Sequence, residues 1–487
     1  MKTKSFITIF AAMFLSLNTV MAEETPIENL YSYKLKNGLS LYVAENHTVP
    51  LVYIEIAVKA GGVSQNPDNA GLFHLYEHMM FKGNKKYKTA EEIQSELTKL
   101  GVSNWNGSTA PEYVNYYFTI PSDKLEEGLD FWSQAIRNPL MTNREFEDEK
   151  QVVLSEITAD VSDPTRYASY YSTKEMFYEA PWKTEPSGNP NVVQNATVAQ
   201  LKDIQKKYYI PNNCALFVGG DVNPETVKTL AEKIYGSWKK GKDPWSKSFS
   251  QFDTDPFKNS PNKPVLRVVP CNVISDSVAV LEIEYRGPDA AFNTKDTYSA
   301  DVLISLLADP QGLFKQSLIN DRNLAIPKSD YISANYLTRK YLGKINFEII
   351  LAKPETMLAE RVKIIYEKLP VLVEEAIPDG TSLSQDQLSK VRIRITNDSI
   401  YEKDTTEGLL SSLRFWWICT SENYYFTYTD NLMKVQSSDI EYFVEKYIKT
   451  KTPAVTLYIN DELYEATLKE ELCDYTVITE DAAYWWK

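Results

Sequence analysis

The sequence predicts an α+β chain made of two sheet-and-helix units joined by a linker. Three observations carry this. Apolar residues alternate with period two in several short segments, the mark of half-buried strands. Sets of such segments are followed by stretches with helical spacing that open on capping residues. Between residues 239 and 263 the composition shifts to Lys, Asp, Ser, Asn and Pro with few aliphatics, which divides the chain in two. Strand sets alternating with helix sets give a layered α+β architecture. At 487 residues the chain is also too long for one ordinary core.

Met1-Lys2-Thr3-Lys4 precedes an apolar run from Phe6 to Met21, which ends in Val20-Met21-Ala22 before Glu23 and Glu24. A positive start, a short apolar core and a small final residue predict a secretory signal peptide over residues 1–22, cut after Ala22. The run is short of the roughly 20 apolar residues that a spanning helix prefers. No later stretch matches its length, so no membrane span is expected once it is removed.

Residues 31–43 read as two strands around Asn37-Gly38, a strong hairpin turn. In 51–59, Val52, Ile54, Ile56 and Val58 alternate as in a strand, which Gly61-Gly62 ends. Asp68-Asn69 offers a cap for a helix that Gly83 stops. Thr89-Ala90-Glu91-Glu92 reads as a capping box opening a helix to Leu100. Residues 113–120 are strand-like, and 124–137 and 143–159 are helical. Residues 212–220 form a buried strand, followed by a helix capped by Asn223 with Pro224 in its first turn. Beyond the linker the same grammar resumes, with strands near 265–269, 278–285 and 345–352. Helices are expected near 297–307 and from Glu355 and Leu383. The expected organisation is a signal peptide (1–22), an N-terminal unit (23–238), the linker (239–263) and a C-terminal unit (264–487), a weak duplication of architecture.

A net charge of −14, which becomes −16 when Lys2 and Lys4 leave with the signal, argues against a nucleic-acid partner. Cys214, Cys271, Cys419 and Cys473 are far apart and form no metal-type pair. Export would permit a disulfide, but spacing does not reveal connectivity, and buried free thiols are the expectation.

Two of only 3 histidines fall together in His74-Leu75-Tyr76-Glu77-His78. Chance would produce His-x-x-Glu-His in such a chain about once in a thousand sequences. On a helix, positions i and i+4 share one face, so both imidazoles reach one metal ion. Two neutral imidazoles and a carboxylate base are what a water-activating zinc site requires. The order inverts the commoner His-Glu-x-x-His motif. A third protein ligand is expected. The remaining histidine, His47, reads as an exposed loop residue, which leaves a carboxylate. In the 143–159 helix, Glu149 and Glu156 lie seven apart, two turns along one face. Chemistry alone does not choose between them.

These residues, with Asn37-Gly38-Leu39, Ala60-Gly61-Gly62, the run from Gly71 to Gly83 and the Glu149–Glu156 helix, resemble the pitrilysin/insulinase family of inverted zinc metallopeptidases, in its shorter two-domain bacterial branch. The resemblance covers nearly the whole chain after the signal. It implies two homologous α/β-sandwich units, antiparallel sheets covered by helices, that close with a partner chain like a clamshell. It also implies one zinc ion per chain held by His74, His78 and Glu156. Glu77 would be the general base, and Glu149 would orient a histidine ligand. Peptide substrates bind in such enzymes as an added strand. The matching segment here is Asn104-Trp105-Asn106-Gly107-Ser108-Thr109, with Asn106 near the substrate and Gly107 in place of the usual alanine.

One departure stands out. Active members use an Arg and a Tyr seven apart in the domain after the linker, and Leu318-Ile319-Asn320-Asp321-Arg322-Asn323-Leu324-Ala325-Ile326 has isoleucine at both positions. That resembles a heterodimeric arrangement in which a homologous subunit supplies Arg and Tyr. The expectation is an exported zinc endopeptidase, periplasmic or secreted, acting on peptides or unfolded segments with a partner subunit or through self-association. The alternative is a non-catalytic zinc-binding assembly subunit of a peptidase complex.

Overall fold

The structure, a computed structural model, describes residues 23–102, 104–246, 263–378 and 382–486. The expected signal peptide and residues 247–262 of the expected linker lie outside them. The first sheet contains seven strands: β1 (Glu23–Glu24), β2 (Leu30–Lys34), β3 (Ser40–Glu45), β4 (Leu51–Val58), β5 (Asn104–Thr109), β6 (Val114–Pro121) and β7 (Cys214–Gly220). Their order is β1-β2-β3-β7-β4-β6-β5. The second contains β8 (Val265–Pro270), β9 (Val278–Gly287), β10 (Ile332–Leu337), β11 (Gly343–Ala352), β12 (Ala454–Ile459) and β13 (Thr476–Val477), in the order β10-β11-β9-β12-β8-β13.

The duplication is plain in the pairing. The runs β3-β7-β4-β6-β5 and β8-β12-β9-β11-β10 share one layout. The first pair is parallel in each, and the next three are antiparallel. Within each five-strand run two strands come first along the chain, then helices, then an antiparallel pair, then helices, then the central strand, and β1 and β2 precede the first run.

Alternation along β4 shows how each sheet is covered on two faces. Val52, Ile54, Ile56 and Val58 enter the first core, under the helices of their own unit. Tyr53 and Ala57 face the other way, against Leu410, Leu413 and Trp417 of helix Thr406–Cys419, which belongs to the second half of the chain. The second sheet returns the arrangement. Helix Pro164–Met176 of the first half sets Ala168 against Val269, Cys271 and Tyr458. Each exchanged helix also carries one partner of an ion pair with the opposite sheet. Arg414 Nε lies 2.7 Å from Glu55 Oε1, and Arg267 Nη2 lies 2.7 Å from Glu175 Oε2. The two units are therefore interlocked by buried apolar contact and by charge.

Several expected boundaries move. Asn66, not Asp68-Asn69, makes the cap, and it caps a short 3-10 turn over Pro67–Asn69. The histidine helix begins at Leu72 after Gly71, whose φ of 91° falls in the left-handed region that glycine enters without steric penalty. Thr89 accepts from the Glu92 amide as expected, but Glu92 accepts from the Lys88 amide, so the reciprocal box is not closed. Residues 239–246 do not hang free. The Trp245 indole donates to the Lys59 carbonyl and to Asn213 Oδ1, each at 3.1 Å, and so ties the start of the expected linker to the first unit. All four cysteines are free thiols, three buried and Cys473 exposed. No helix among the described residues is long and apolar enough to cross a membrane.

Candidate metal centre

The site is built on helix Leu72–Met79. Leu72, Phe73, Leu75, Tyr76 and Met79 are buried in the first core, which leaves His74 and His78 on the outer face, one turn apart. The helix start is fixed by Gln65, whose Oε1 accepts from the Gly71 amide while its Nε2 donates to the Glu185 carbonyl at 2.7 Å. Across from it runs helix Asn143–Val161, anchored in the same core by Phe146, Val153 and Ile157. Glu149 and Glu156, seven apart and each three residues beyond a core anchor (Phe146 and Val153), reach the histidines together.

The two carboxylates do different things. Glu156 Oε2 lies 3.6 Å from His74 Nε2 and 3.5 Å from His78 Nε2, and the two Nε2 atoms are 3.2 Å apart. Glu149 Oε2 instead meets the opposite nitrogen, His78 Nδ1, at 3.0 Å, and its Oε1 is 2.6 Å from Lys82 Nζ. Three donor atoms at the corners of a triangle of these edges suit a tetrahedral ion. Ligand bonds of about 2.0–2.1 Å space tetrahedral ligands about 3.3 Å apart. Two imidazoles and one carboxylate are also a zinc donor set that leaves a fourth position for water. Among the described residues, His74, His78 and Glu156 are the one group of at least three such side chains close enough to share an ion.

The local electrostatics follow from burial and from these pairings. Burial, reinforced by repulsion from His78, pulls His74 down to about 4, which keeps it neutral at ordinary pH. Burial also acts to lower His78, but Glu149, Glu77 and Glu156 outweigh it and its affinity for a proton rises. Burial raises the carboxyl of Glu77, opposed by the hydroxyl of Thr109 and the charge of His78. Glu149 is held below its ordinary range because His78 and Lys82 more than offset its burial.

Sequence reasoning missed Thr109 and Lys82. Thr109 Oγ1 donates to Glu77 Oε2 at 2.9 Å. The signal was parity along β5: Trp105, Gly107 and Thr109 share the face toward the histidine helix. A Cβ at position 107 would come within 2.7 Å of Glu77 Oε1, so glycine there makes room for that carboxylate. Asn106 falls on the opposite, exposed face, and its Oδ1 accepts from the Gly107 amide at 2.9 Å. It lies outside the cluster. His47 is also elsewhere, paired with Asp221 at 2.6 Å and Glu45 at 3.1 Å on an exposed rim. Ile326 is buried in the second core, Ile319 packs against it, and Arg322 is exposed.

A family model described as Insulinase (Peptidase family M16) matches residues 41–190, and one described as Peptidase M16 inactive domain matches residues 195–378. The chain belongs to the insulinase family of peptidases. Among relatives, zinc protease PqqE of Helicobacter pylori is 23% identical over 462 residues, 94% of this chain and 98% of that one. An uncharacterized zinc protease of Rickettsia felis is 29% identical over 219 residues, 44% of this chain. That match takes in 52% of the Rickettsia protein, so the chain spans about half the length of that relative. The fold agrees with the first half of the periplasmic protease PqqL from Escherichia coli, at a TM-score of 0.74 and 16% identity over 95% of this chain and 96% of that one. A protease from Helicobacter pylori gives 0.70 at 20% identity, over 90% of this chain and 100% of that one. Both likenesses bear on the fold alone.

Proposed function

We propose that this chain is an exported zinc-dependent endopeptidase that hydrolyses peptides or unfolded segments and completes its site with a homologous subunit. The observation that carries the reading is the triangle of His74, His78 and Glu156 with Glu77 on the same helix. One zinc ion per chain, held by those three side chains, would supply water activation and stabilisation of the developing oxyanion. Glu77 takes the proton of the attacking water and returns it to the leaving amine. Thr109 keeps that carboxylate turned toward the site. Glu149, 3.0 Å from His78 Nδ1, would accept that nitrogen's proton and leave Nε2 free to hold the ion.

Substrate would enter along β5, the last strand of its sheet, and add its backbone to that edge. Asn106 is proposed as a contact to the bound peptide from this strand. Isoleucines at 319 and 326 favour a partner that brings Arg and Tyr. The signal peptide read from residues 1–22 supports a periplasmic or secreted location, as does the periplasmic protease among the structural relatives.

The decisive experiment is Glu77→Gln. It is expected to keep zinc near one per chain while peptide cleavage falls to background. Cleavage at the wild-type rate would overturn the reading. The wild type is expected to lose cleavage to a chelator and regain it with zinc. For the partner, the purified chain alone is expected to cleave poorly, and high activity from a strictly monomeric preparation would sink that part.

A further inference from the structure

The two units meet around a cavity of about 370 Å³ that no residue of the histidine helix lines. Three lysines from different elements converge on it. Lys34 ends β2, Lys59 directly follows β4, and Lys340 sits between β10 and β11. None of the three forms an ion pair among the described residues. Lys59 Nζ lies 4.0 Å from the ring centre of Trp417 on the exchanged helix, a cation–π contact that holds it in place without neutralising it. Two carboxylates, Glu112 and Asp243, share the wall, and Asp243 partly offsets the positive charge around Lys59. Glu112 receives the Cys419 thiol at 2.6 Å, and Asp243 Oδ1 accepts from the Trp245 amide at 2.9 Å. Desolvation, followed by repulsion from Lys340 and Lys34, pulls Lys59 down to about 8.

Ammonium groups withdrawn from water are normally paired, because an unpaired buried charge is costly. Lys59 and Lys340 are half-buried and Lys34 is exposed, and all three line one space in a chain whose net charge is −14. We infer that this cavity binds a small multivalent oxyanion of the phosphate class, with Lys59 as its central contact and Lys34 and Lys340 closing over it. Such an anion would contact both units at once and strengthen their junction. Nothing in this depends on the peptidase reading, since no residue of the metal centre takes part. The chemistry fits free phosphate or a phosphate ester, and Trp245 and Tyr341 in the wall would seat the ring of an aryl ester.

The test compares inorganic phosphate, phenyl phosphate and chloride at equal ionic strength on the full chain, by thermal unfolding and titration calorimetry. Phosphate at about 100 times its Kd is expected to raise Tm by about 3 °C over chloride. Affinity is expected to fall about tenfold or more in Lys59→Met and in Lys340→Met, each of which removes one charged donor. Lys340 lies in an inter-strand turn, so that variant decides the matter if Lys59→Met does not fold. Tighter binding of phenyl phosphate would identify an aryl ester as the occupant, and equal binding would identify the free anion. No rise in Tm over chloride, or the same rise in the wild type and both variants, would overturn the inference.

Discussion

In the first unit, the helix between β4 and β5 turns His74 and His78 outward, and a second helix crosses it with Glu149 and Glu156. In the second unit, helix Thr294–Leu307 follows β9 toward β10 in the same place and turns Asp301 and Ser305 outward at the same four-residue spacing. Helix Ser382–Glu402 crosses it, but with a cation: Arg394 Nε donates to Ser305 Oγ at 3.1 Å, while Asp301 accepts from the Tyr428 hydroxyl at 2.8 Å. Behind both helices the inward positions are buried and mostly apolar, with Thr297 and Ser299 buried among them in the second unit. The common layout is therefore set by inward residues, and the chemistry by a few outward ones. The proposed metal centre lies on the outer face and asks nothing different of the core beneath it.

The largest effect expected from breaking this contrast is on metal content. His78→Ala should take zinc from about one per chain to near none, because the described residues of the second unit offer no matching donors. Cleavage should fall about a thousandfold or more with it. Metal analysis of the purified variant checks this, and near-stoichiometric zinc would mean that a second site exists.

The exchanged helices give the next comparison. Arg414→Met leaves Glu55, which is 0% exposed, as an unpaired buried charge, at a cost of about 3–5 kcal/mol. Arg267→Met leaves Glu175, whose side chain is 33% exposed and can regain water, so about 1–2 kcal/mol is expected. Urea unfolding of both variants tests the order. Equal losses would show that the two junctions are energetically alike despite their different burial.

A smaller effect is expected where the first unit's own strand supports the proposed base, Glu77. Thr109→Val removes the hydroxyl that donates to Glu77 and should lower kcat about tenfold, with zinc retained. Thr109→Ser should recover most of that loss. If Thr109→Val cleaves normally, the hydrogen bond does not position the base.

Much of this was legible in the chain. The β4 alternation, the Asn37-Gly38 hairpin and the seven-residue spacing of Glu149 and Glu156 each follow from local periodicity, which sequence carries directly. Other features do not come from local signals. Asn104–Thr109 has an asparagine pair and a glycine, poor strand formers, and it is a strand because β6 pairs with it. The exchange of Pro164–Met176 for Thr406–Cys419 is a long-range choice between two similar sheets, and no window of residues records it. The helix start at Gly71 in place of Asp68-Asn69 turned on backbone conformation, where a glycine's positive φ outcompeted a good capping side chain. The roles of the two glutamates needed geometry as well, since only distance separates the carboxylate on Nδ1 from the one beside both Nε2 atoms.

Isoleucines stand at 319 and 326, where the proposed partner subunit would bring Arg and Tyr. Ile326 is 4% exposed and belongs to the second core, and Ile319 packs against that core from helix Leu313–Asn320. Writing Arg and Tyr back at these positions would force a larger ring and a hydroxyl into packed apolar space, at about 1–3 kcal/mol. Ile319→Arg alone should cost less, because its side chain lies at the margin of the core and can lead its charge to water. Neither variant is expected to make the isolated chain an efficient peptidase, since position 326 points into the core. Unfolding curves and peptide assays on the single and double variants check both halves. If the double variant gained cleavage as a strict monomer, the segment would already face the histidine helix, and the need for a second subunit would fall.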